Sequence, residues 1–361
     1  MRIAYLIHWN EGPDSGVFKK IVSQVTEWTR QGHEVGLFLF TTGDPEDWKN
    51  AIKGAQLNIQ PYNRGMGLNS EFRKLTHRVD QWKPDVIYHR FETYYSGLPA
   101  LLRKIPSVLE INVHDITEMR RRNLFKYMRH VMNREKVLGS TSGFIFASSD
   151  IMETENFRRQ AKDRIVLGNS IALHEFTPVP PANNKEPRLI FIGAPRSPWQ
   201  GIDAIAGMAR MHKNWHFDII GITSSEYKRP VPDNMEFHGK LSKSQYEPLI
   251  RQADVGIGTL ALYRRGMKEA SPLKVREYLA YGLPVINGYV DTDFKEEVPF
   301  ILRIPNEPRN TINASAAIEE FVLSWQGRRV DRSEVEHLDT AKKESIRLAY
   351  MKRIREKGGI R

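Results

Sequence analysis

Two glutamates separated by seven residues, Glu269 and Glu277, lie in the segment GMKEASPLKVREYLAYGLPVI at positions 266–286. Lys268 and Lys274 lie between or beside them, so both signs of charge surround one short helical pattern. Carboxylates accept hydrogen bonds from hydroxyl groups, and ammonium groups attract anions. This arrangement suits a ligand that has phosphates at the start of the helix and hydroxyl-bearing sugars on either side.

The helix itself has clear start and stop signals. Ser271 is a suitable N-cap, Pro272 suits the first helical position, and Gly282 suits the C-terminal stop. The pattern predicts a helix over about 272–281, with Leu273, Tyr278 and Leu279 facing inward. Lys274 then falls at the third helical position, where a cation opposes the helix dipole. An anionic ligand would remove this conflict, although a merely charged surface helix remains an alternative.

Two further loops follow predicted strands. In HWNEGPDSGVFKK, Gly12 and Gly16 permit a tight turn, and Gly16 begins a helix whose free N–H groups could bind an anion. In FIGAPRSPWQGIDAIAGMA, Gly193 ends a strand and Arg196 lies in the loop. Neither loop has the G-x-G-x-x-G pattern of dinucleotide-binding proteins, which disfavours NAD binding.

The elements that would position these loops alternate between strands and helices, which predicts the α/β class with parallel sheets. The predicted strands in the first half are RIAYLIHW, EVGLFLF, DVIYHR, SVLEINV and GFIFAS; those in the second half are RLIFIG, HFDIIG, MEFHG, DVGIGTL and PVINGYV. The proline-rich stretch FTPVPPANNKEP at 176–187 is typical of an interdomain linker. We therefore predict domains at 1–175 and 188–335, followed by a basic helix at 336–361 that could pack back on the first domain or remain solvated.

Composition restricts the class of protein. The chain has 361 residues, 40% of them hydrophobic and 27% charged, as expected for a globular protein of two domains. Cysteine is absent, which excludes disulfides and thiolate chemistry and favours a cytoplasmic location. We expect no membrane span, and the N-terminal apolar run is too short for a signal peptide. The net charge of +11 favours an anionic partner.

Several segments together resemble one family, the retaining glycosyltransferases of group 1, which have the GT-B fold. These are the two glutamates followed by YLAYGLPVI and, in the order of the family's motifs, PSVLEINVHD, GFIFASSDIMETENF, RIVLGNSIALHEFTP, RLIFIGAPRSPWQGID and HGKLSKSQYEPLIRQADVGIGTL. The resemblance implies two Rossmann-like domains with parallel sheets that face each other across a cleft. It also implies that a nucleotide sugar is held mainly by the second domain.

The resemblance also implies roles for particular residues. Glu269 would contact the hydroxyls of the donor sugar, and Glu277 would bind the ribose. Backbone groups after Glu269 would bind the sugar and the diphosphate, and either Asn112 or His114 would face the sugar from the first domain. The remaining donor-binding residues implied are Gly16, Gly193, Gly239, Lys240, Leu241, Lys268, Ala270, Ser271, Pro272 and Leu273.

Two positions depart from the family's pattern. The family usually has an Arg just after the glycine of RLIFIG and a Lys just before the next glycine, whereas this chain has Ala194 and Gln200. These cations would neutralise the leaving diphosphate. We expect Lys274 to replace them, with Arg196 as the second choice. Pro272 also stands where the family often has Gly, which removes one amide donor.

The resemblance implies transfer of a hexosyl group from a nucleoside diphosphate sugar, UDP-sugar before GDP-sugar, to an acceptor hydroxyl with retained configuration. No metal or other cofactor is expected, since the chain has no Asp-x-Asp pair and its histidines are scattered. The favoured mechanism is front-face attack, in which the leaving phosphate oxygen takes the acceptor's proton.

The segment MRRRNLFKYMRHVMNREK at 119–136 bears on the acceptor. It combines Arg120, Arg121, Arg122, Lys126 and Arg129 with Leu124, Phe125, Met128 and Met132. This composition predicts a basic amphipathic helix that suits a lipid-linked acceptor on an anionic membrane. The resemblance to the family implies a role in bacterial surface polysaccharide assembly. The protein would then be cytoplasmic and peripheral at the inner face of the plasma membrane. The alternative is a helix that packs its apolar face on its own core.

Three other functions stay open at this point. A catalytically silent relative that binds sugar nucleotides or a partner subunit would explain Ala194 and Gln200. An NAD-dependent oxidoreductase is disfavoured by the missing glycine pattern. A nucleic-acid binder is compatible with the charge, but the basic residues form no recognisable RNA or DNA motif.

Overall fold

The computed structural model describes residues 1–358 except 14, 49–51, 53, 64, 66, 91 and 92, and it describes residues 118, 121 and 122 by their backbone alone. Contacts divide the chain into two units. Unit 1 contains Met1–Leu167 together with Thr340–Arg361, and unit 2 contains Gly168–Asp339. The chain therefore leaves unit 1 once and returns to it at the end.

Unit 1 is built on a sheet of seven parallel strands in the order β3-β2-β1-β4-β5-β6-β7. The strands are β1 Arg2–His8, β2 Glu34–Thr41, β3 Gln56–Pro61, β4 Val86–His89, β5 Ser107–Ile111, β6 Gly143–Phe146 and β7 Asp163–Val166. The central strand β1 is buried almost throughout, because helices cover both faces of a parallel sheet.

The helices of unit 1 lie between these strands, and one more comes from the end of the chain. They are α1 Gly16–Arg30, α2 Leu68–Trp82, α3 Leu98–Lys104, α4 Asp115–Arg122, α5 Leu124–Ser140, α6 Ser149–Met152, α7 Glu155–Arg158 and α14 Thr340–Gly358. Leu348, Met351 and Ile354 of α14 are buried in the same core as Trp28 of α1. The C-terminal basic helix is thus part of unit 1.

Unit 2 is built on a sheet of six parallel strands in the order β10-β9-β8-β11-β13-β15, beside a small parallel pair, β12-β14. Its strands are β8 Arg188–Ile192, β9 His216–Ile220, β10 Met235–Gly239, β11 Val255–Ile257, β12 Glu269–Ala270, β13 Val285–Asn287, β14 Val290–Asp291 and β15 Ile301–Arg303. Its helices are α8 Ile202–Met211, α9 Ser224–Tyr227, α10 Lys243–Gln252, α11 Leu273–Tyr281, α12 Asn310–Asn313 and α13 Ser315–Trp325. Short 3-10 turns occupy Pro45–Trp48 in unit 1 and Leu173–Glu175, Pro198–Gln200, Leu262–Arg265 and Arg332–Leu338 in unit 2.

The predicted α/β class with parallel sheets is confirmed, and each strand predicted from the sequence is present. The sequence did not predict β3, β7 or β15, which are edge strands. These strands are mostly half-buried, in contrast to the fully buried β4, β5 and β6. An edge strand that buries few side chains lacks the apolar run by which a central strand is detected.

The proline-rich segment 176–187 belongs to unit 2 by its contacts. Val179 is buried in the unit 2 core, and its N–H donates to the carbonyl of Tyr281 at 2.9 Å. The domain boundaries at 175, 187 and 335 stay a prediction. Among the described residues, no helix has both the length and the apolar content that a bilayer-spanning segment requires.

Candidate functional site

The helix of the opening segment, α11, starts one residue later than predicted. Pro272 occupies the N-cap position with an extended backbone, and no side chain caps the helix. Ser271 is not the cap, because its Oγ accepts from the N–H of Asn169 at 2.7 Å and from Arg276 Nη2 at 2.6 Å. Lys274 therefore occupies the second helical position rather than the third. Tyr278 and Leu279 are buried as predicted, whereas Leu273 is half-buried.

Arg276 holds the start of this helix in place. Its guanidinium is fully buried and pairs with Asp291 at 2.7 Å and with Asp293 at 2.7 Å. It also donates to Ser271 Oγ and, at 3.1 Å, to the carbonyl of Asn169. The surrounding carboxylates compensate the cost of burying this cation. Arg276, which the sequence analysis left unassigned, thus fixes the segment that carries the predicted ligand-binding residues.

Lys274 has an unusual setting for a lysine at the start of a helix. Its Nζ lies 3.9 Å from the ring centroid of Phe191 in β8, and this nitrogen is buried without a hydrogen-bond partner among the described residues. Burial lowers the pKa of Lys274 to about 7. A buried ammonium group without a partner, near the uncapped start of a helix, is a candidate for pairing with an anion.

The ends of β8, β9 and β10 meet through their backbones. Gly221 has a φ of +86°, and a Cβ there would lie 2.1 Å from the carbonyl oxygen of Gly193. Its N–H donates to the carbonyl of Gly239 at 2.6 Å. A Cβ at Gly193 would likewise lie 2.3 Å from the ring of Phe191. Glycines at these positions let the three strand ends approach closely.

The loop after Gly193 is closed by its own residues. Gln200 Oε1 accepts from the N–H of Ala194 at 3.0 Å, so the two positions that depart from the family's pattern contact each other. Arg196 is exposed with a φ of +58°. Hydrogen bonds from Thr223, together with the charge of Arg196, lower the pKa of Glu226. Of the two predicted substitutes for the missing cations, Lys274 is the buried one.

The two glutamates occupy different settings. Glu269 is buried in β12, whose partner β14 places it opposite Val290. Glu277 lies on α11 and accepts from the hydroxyl of Tyr246 at 2.5 Å. Burial and the nearby Glu277 carboxylate both raise the pKa of Tyr246, which keeps this hydroxyl protonated. Tyr246, on α10, is a neighbour that the sequence analysis did not predict.

The remaining predicted residues of unit 2 differ in how far they are buried. Gly239 ends β10 with a φ of +63°, Lys240 is exposed, and Leu241 packs against the core. Lys268 is exposed and its carbonyl accepts from the N–H of Val290 at 3.0 Å.

The predicted residues of unit 1 lie at the start of α1 and just after β5. Gly16 is the first residue of α1, and Ser15 caps that helix by accepting from the N–H of Phe18 at 3.3 Å. Asn112 and His114 follow β5 and are half-buried, and His114 takes the N-cap position of α4. Burial lowers the pKa of His114 against the opposing effect of Asp150 and Asp115, so its imidazole is neutral near pH 7.

The histidines are less scattered than the sequence suggested. His216, Asp218 and Glu236 present atoms within 4.8 Å of one another, a spacing that could hold a metal ion. Asp218, however, pairs with Arg188 through two bonds of 2.6 and 2.9 Å and accepts from His238 at 2.8 Å. This cluster is consistent with an ion-pair network around the buried Asp218, since His216 is half-buried and Glu236 is exposed.

The chain is similar to known proteins in part of its sequence and in its fold. Residues 186–316 match the family model of glycosyl transferases group 1. No curated protein matches the sequence. The chain is similar in structure to sucrose-phosphate synthase from Thermosynechococcus elongatus, with a TM-score of 0.65 and 14% identity over 99% of this chain and 98% of that one.

Two further structures are similar over nearly their whole lengths. They are the lipopolysaccharide outer core galactosyltransferase WaaB, with a TM-score of 0.67 and 12% identity over 98% of this chain and 100% of that one, and Anabaena HepE in complex with UDP and glucose, with a TM-score of 0.63 and 13% identity over 97% and 99%. The predicted resemblance to glycosyl transferases group 1 and the predicted GT-B fold are therefore confirmed.

Proposed function

We propose that this protein is a retaining glycosyltransferase that moves a hexosyl group from a UDP-sugar to an acceptor hydroxyl in bacterial surface polysaccharide assembly. A GDP-sugar is the next candidate donor. The family match in unit 2 and the GT-B fold support a glycosyltransferase. The complexes of HepE with UDP and with UDP-glucose support the choice of base.

The observation that carries this proposal is the position of Lys274. Its buried Nζ has no hydrogen-bond partner among the described residues and lies beside Phe191, two residues before the glycine that follows β8. In the first turn of α11 the N–H of Val275 donates to the carbonyl of Pro272 at 3.2 Å, whereas the N–H groups of Leu273 and Lys274 come before the first acceptor of the helix. A diphosphate at the start of α11 would interact with both the ammonium group of Lys274 and the positive end of the helix dipole.

The reaction then needs no metal ion in this proposal. The acceptor oxygen forms a bond to the anomeric carbon on the face from which the diphosphate departs. As the bond from the anomeric carbon to the diphosphate oxygen breaks, that oxygen takes the proton of the acceptor hydroxyl. Lys274 stabilises the charge that develops on the diphosphate, and Glu269 orients the sugar through its hydroxyls.

The donor is identified by thermal-shift measurements with UDP-, GDP-, ADP- and dTDP-sugars, each once with EDTA and once with Mg²⁺. We expect a UDP-sugar to raise the Tm, since any ligand that binds only the folded state stabilises it. Lys274→Met should reduce the shift, whereas Lys213→Met, a change at an exposed lysine of unit 2, should not. A chain that no nucleotide sugar stabilises would contradict the proposal, and stabilisation that requires a divalent metal would contradict the metal-free mechanism.

Catalysis is tested by Glu269→Gln and Glu277→Gln. We expect the change at Glu269 to lower kcat by about 10²–10³ while UDP binding is retained, because it acts on the sugar rather than on the nucleotide. The change at Glu277 should weaken UDP binding, because this residue is assigned to the ribose. The rate of transfer is measured as the release of UDP, over a panel of acceptors.

A second candidate is a catalytically silent relative that binds a sugar nucleotide or a partner subunit. The contact between Gln200 and the N–H of Ala194 favours it, because this contact occupies positions where the family carries cations. Binding of UDP-sugar without turnover in either transfer or hydrolysis would support this candidate. Turnover that is lost in Glu269→Gln would exclude it.

A further inference from the structure

The first half of α5 carries an unusual exposed apolar face. Ten large hydrophobic side chains are exposed among the described residues, and five of them lie on this one helix. They are Leu124, Phe125, Met128, Val131 and Met132, with exposed fractions between 41% and 76%. At 100° per residue these five positions fall on one side of the helix, within an arc of about 120°. The face, here called the α5 apolar face, is a continuous stripe.

The opposite side of α5 faces the interior of unit 1, to which the helix belongs. His130, Arg134, Val137 and Leu138 are buried. The alternative in which the helix packs its apolar face on its own core is therefore wrong for this stretch, since the most apolar positions point outward. Such a pattern is typical of a helix whose second partner lies outside the chain.

A buried ion-pair cluster fixes this orientation. Asp115, the first residue of α4, accepts from His130 Nε2 at 2.7 Å and from Arg134 Nε at 2.7 Å. Arg134 also lies over the ring of Phe157 at 5.1 Å. Although burial alone would raise it, the bonds from His130 and Arg134 keep the pKa of Asp115 below its usual value. The helix cannot rotate its apolar face inward without breaking these contacts.

Basic residues accompany the α5 apolar face. Lys126, Arg129 and Lys136 are exposed on the same helix, and Arg120 is exposed at the end of α4. The side chains of Arg121 and Arg122 lie outside the described residues. Leu, Phe and Met beside Lys and Arg match the boundary of an anionic bilayer, where apolar side chains enter the acyl region and cations meet the headgroups.

We infer that the α5 apolar face docks the protein on the surface of an anionic lipid bilayer. Leu124, Phe125, Met128 and Met132 insert at the headgroup boundary, and Arg129 and Lys136, which are exposed beside one edge of this face, contact the lipid phosphates. The loop with Asn112 and His114 directly precedes Asp115, so docking would bring the end of β5 near the bilayer. Only this last consequence, access to a lipid-linked acceptor, depends on the proposed function.

Binding to vesicles tests the inference without any measurement of sugar transfer. The full chain is mixed with vesicles of phosphatidylcholine alone or with an equal part of phosphatidylglycerol, and the bound fraction is measured by co-sedimentation. We expect binding to the anionic vesicles that falls about tenfold or more in the double variant Phe125→Ser, Met132→Ser. Ile346→Ser, which removes a 51% exposed side chain from α14, is the matched control and should bind like the unaltered protein.

The charge contribution has its own pair of variants. Arg129→Glu with Lys136→Glu should weaken binding about tenfold or more. Lys213→Glu with Lys352→Glu makes the same change in net charge at two exposed positions elsewhere and should have little effect. Equal losses in both pairs would show that overall charge, and not this face, determines binding.

Three results would overturn the inference. The first is a chain that does not bind anionic vesicles, and the second is binding that is unchanged in Phe125→Ser, Met132→Ser. The third is a chain that self-associates in analytical ultracentrifugation and becomes monomeric in the same double variant without vesicle binding, which would make the face a contact between copies. Circular dichroism of each variant confirms that it folds.

Discussion

At the scale of single residues, the environment of Lys274 explains why its position conflicts with helix preferences. A cation at the second position of a helix opposes the dipole, and burial adds a desolvation cost. The cation–π contact with Phe191 offsets a part of this desolvation cost. The remaining cost is one that a bound diphosphate would offset.

This cost predicts a dependence of stability on pH. The pKa of Lys274 is lowered from 10.5 to about 7 by burial, so both states are protonated below pH 7 and the folded state bears the full cost of the buried charge. Between pH 7 and 10.5 the unfolded chain binds more protons, and stability rises with pH. Lys274→Met should therefore stabilise unit 2 most below pH 7 and hardly at all near pH 10.5.

Urea unfolding of unit 2 at pH 6.5 and pH 10 measures this difference. The control is Lys240→Met, since that lysine is exposed. A stabilisation by Lys274→Met that is the same at both pH values would show that the ammonium group is not buried in the free protein.

At the scale of elements, the start of α11 depends on one buried arginine. Arg276→Met would leave Asp291 and Asp293 without their guanidinium partner, and breaking a buried ion pair on one side costs about 3–5 kcal/mol. We expect this loss in the free energy of unfolding of unit 2. Arg303→Met removes an exposed arginine that lies 3.9 Å from Glu297 and should cost less than about 1 kcal/mol. Similar losses in the two variants would mean that Arg276 is not the residue that holds this segment.

The elements also show what the sequence could and could not predict. Buried central strands and the end of α11 at Gly282 follow from local patterns, and so they were predicted. The start of α11 was wrong by one residue because Ser271 is used by Asn169 and Arg276, contacts that join distant parts of the sequence. Tyr246 was missed for the same reason, since its bond to Glu277 joins two helices. The helix start at Gly16 and the strand ends at Gly193 and Gly239 were located correctly, whereas the roles of these residues remain proposals.

At the scale of the whole molecule, unit 1 depends on the end of the chain. Trp28 Nε1 donates to Glu344 at 2.8 Å, and Arg347 donates to Tyr88 at 2.5 Å, with all of these groups buried. Tyr350 donates to the carbonyl of Asp163 and accepts from the N–H of Phe144. Helix α14 thereby completes the core of unit 1.

A chain that ends at Asp339 should therefore lose the fold of unit 1. Removal of α14 would expose the core around Trp28 and leave Glu110 with fewer cationic neighbours. We expect limited proteolysis to degrade unit 1 quickly while a fragment of unit 2 persists. Ile346→Ser keeps the helix and should keep the protection, and a shortened chain that resists proteolysis as well as the full one would contradict this account.

The return of the chain to unit 1 also determines the order in which the two units can fold during synthesis. Domains generally fold as they are made, the N-terminal one first. Here the ribosome completes residues 168–339 before it makes the helix that unit 1 requires. Unit 2 therefore has its full sequence first, although unit 1 begins the chain. Unit 1 therefore completes its fold only after the whole sequence of unit 2 has been made.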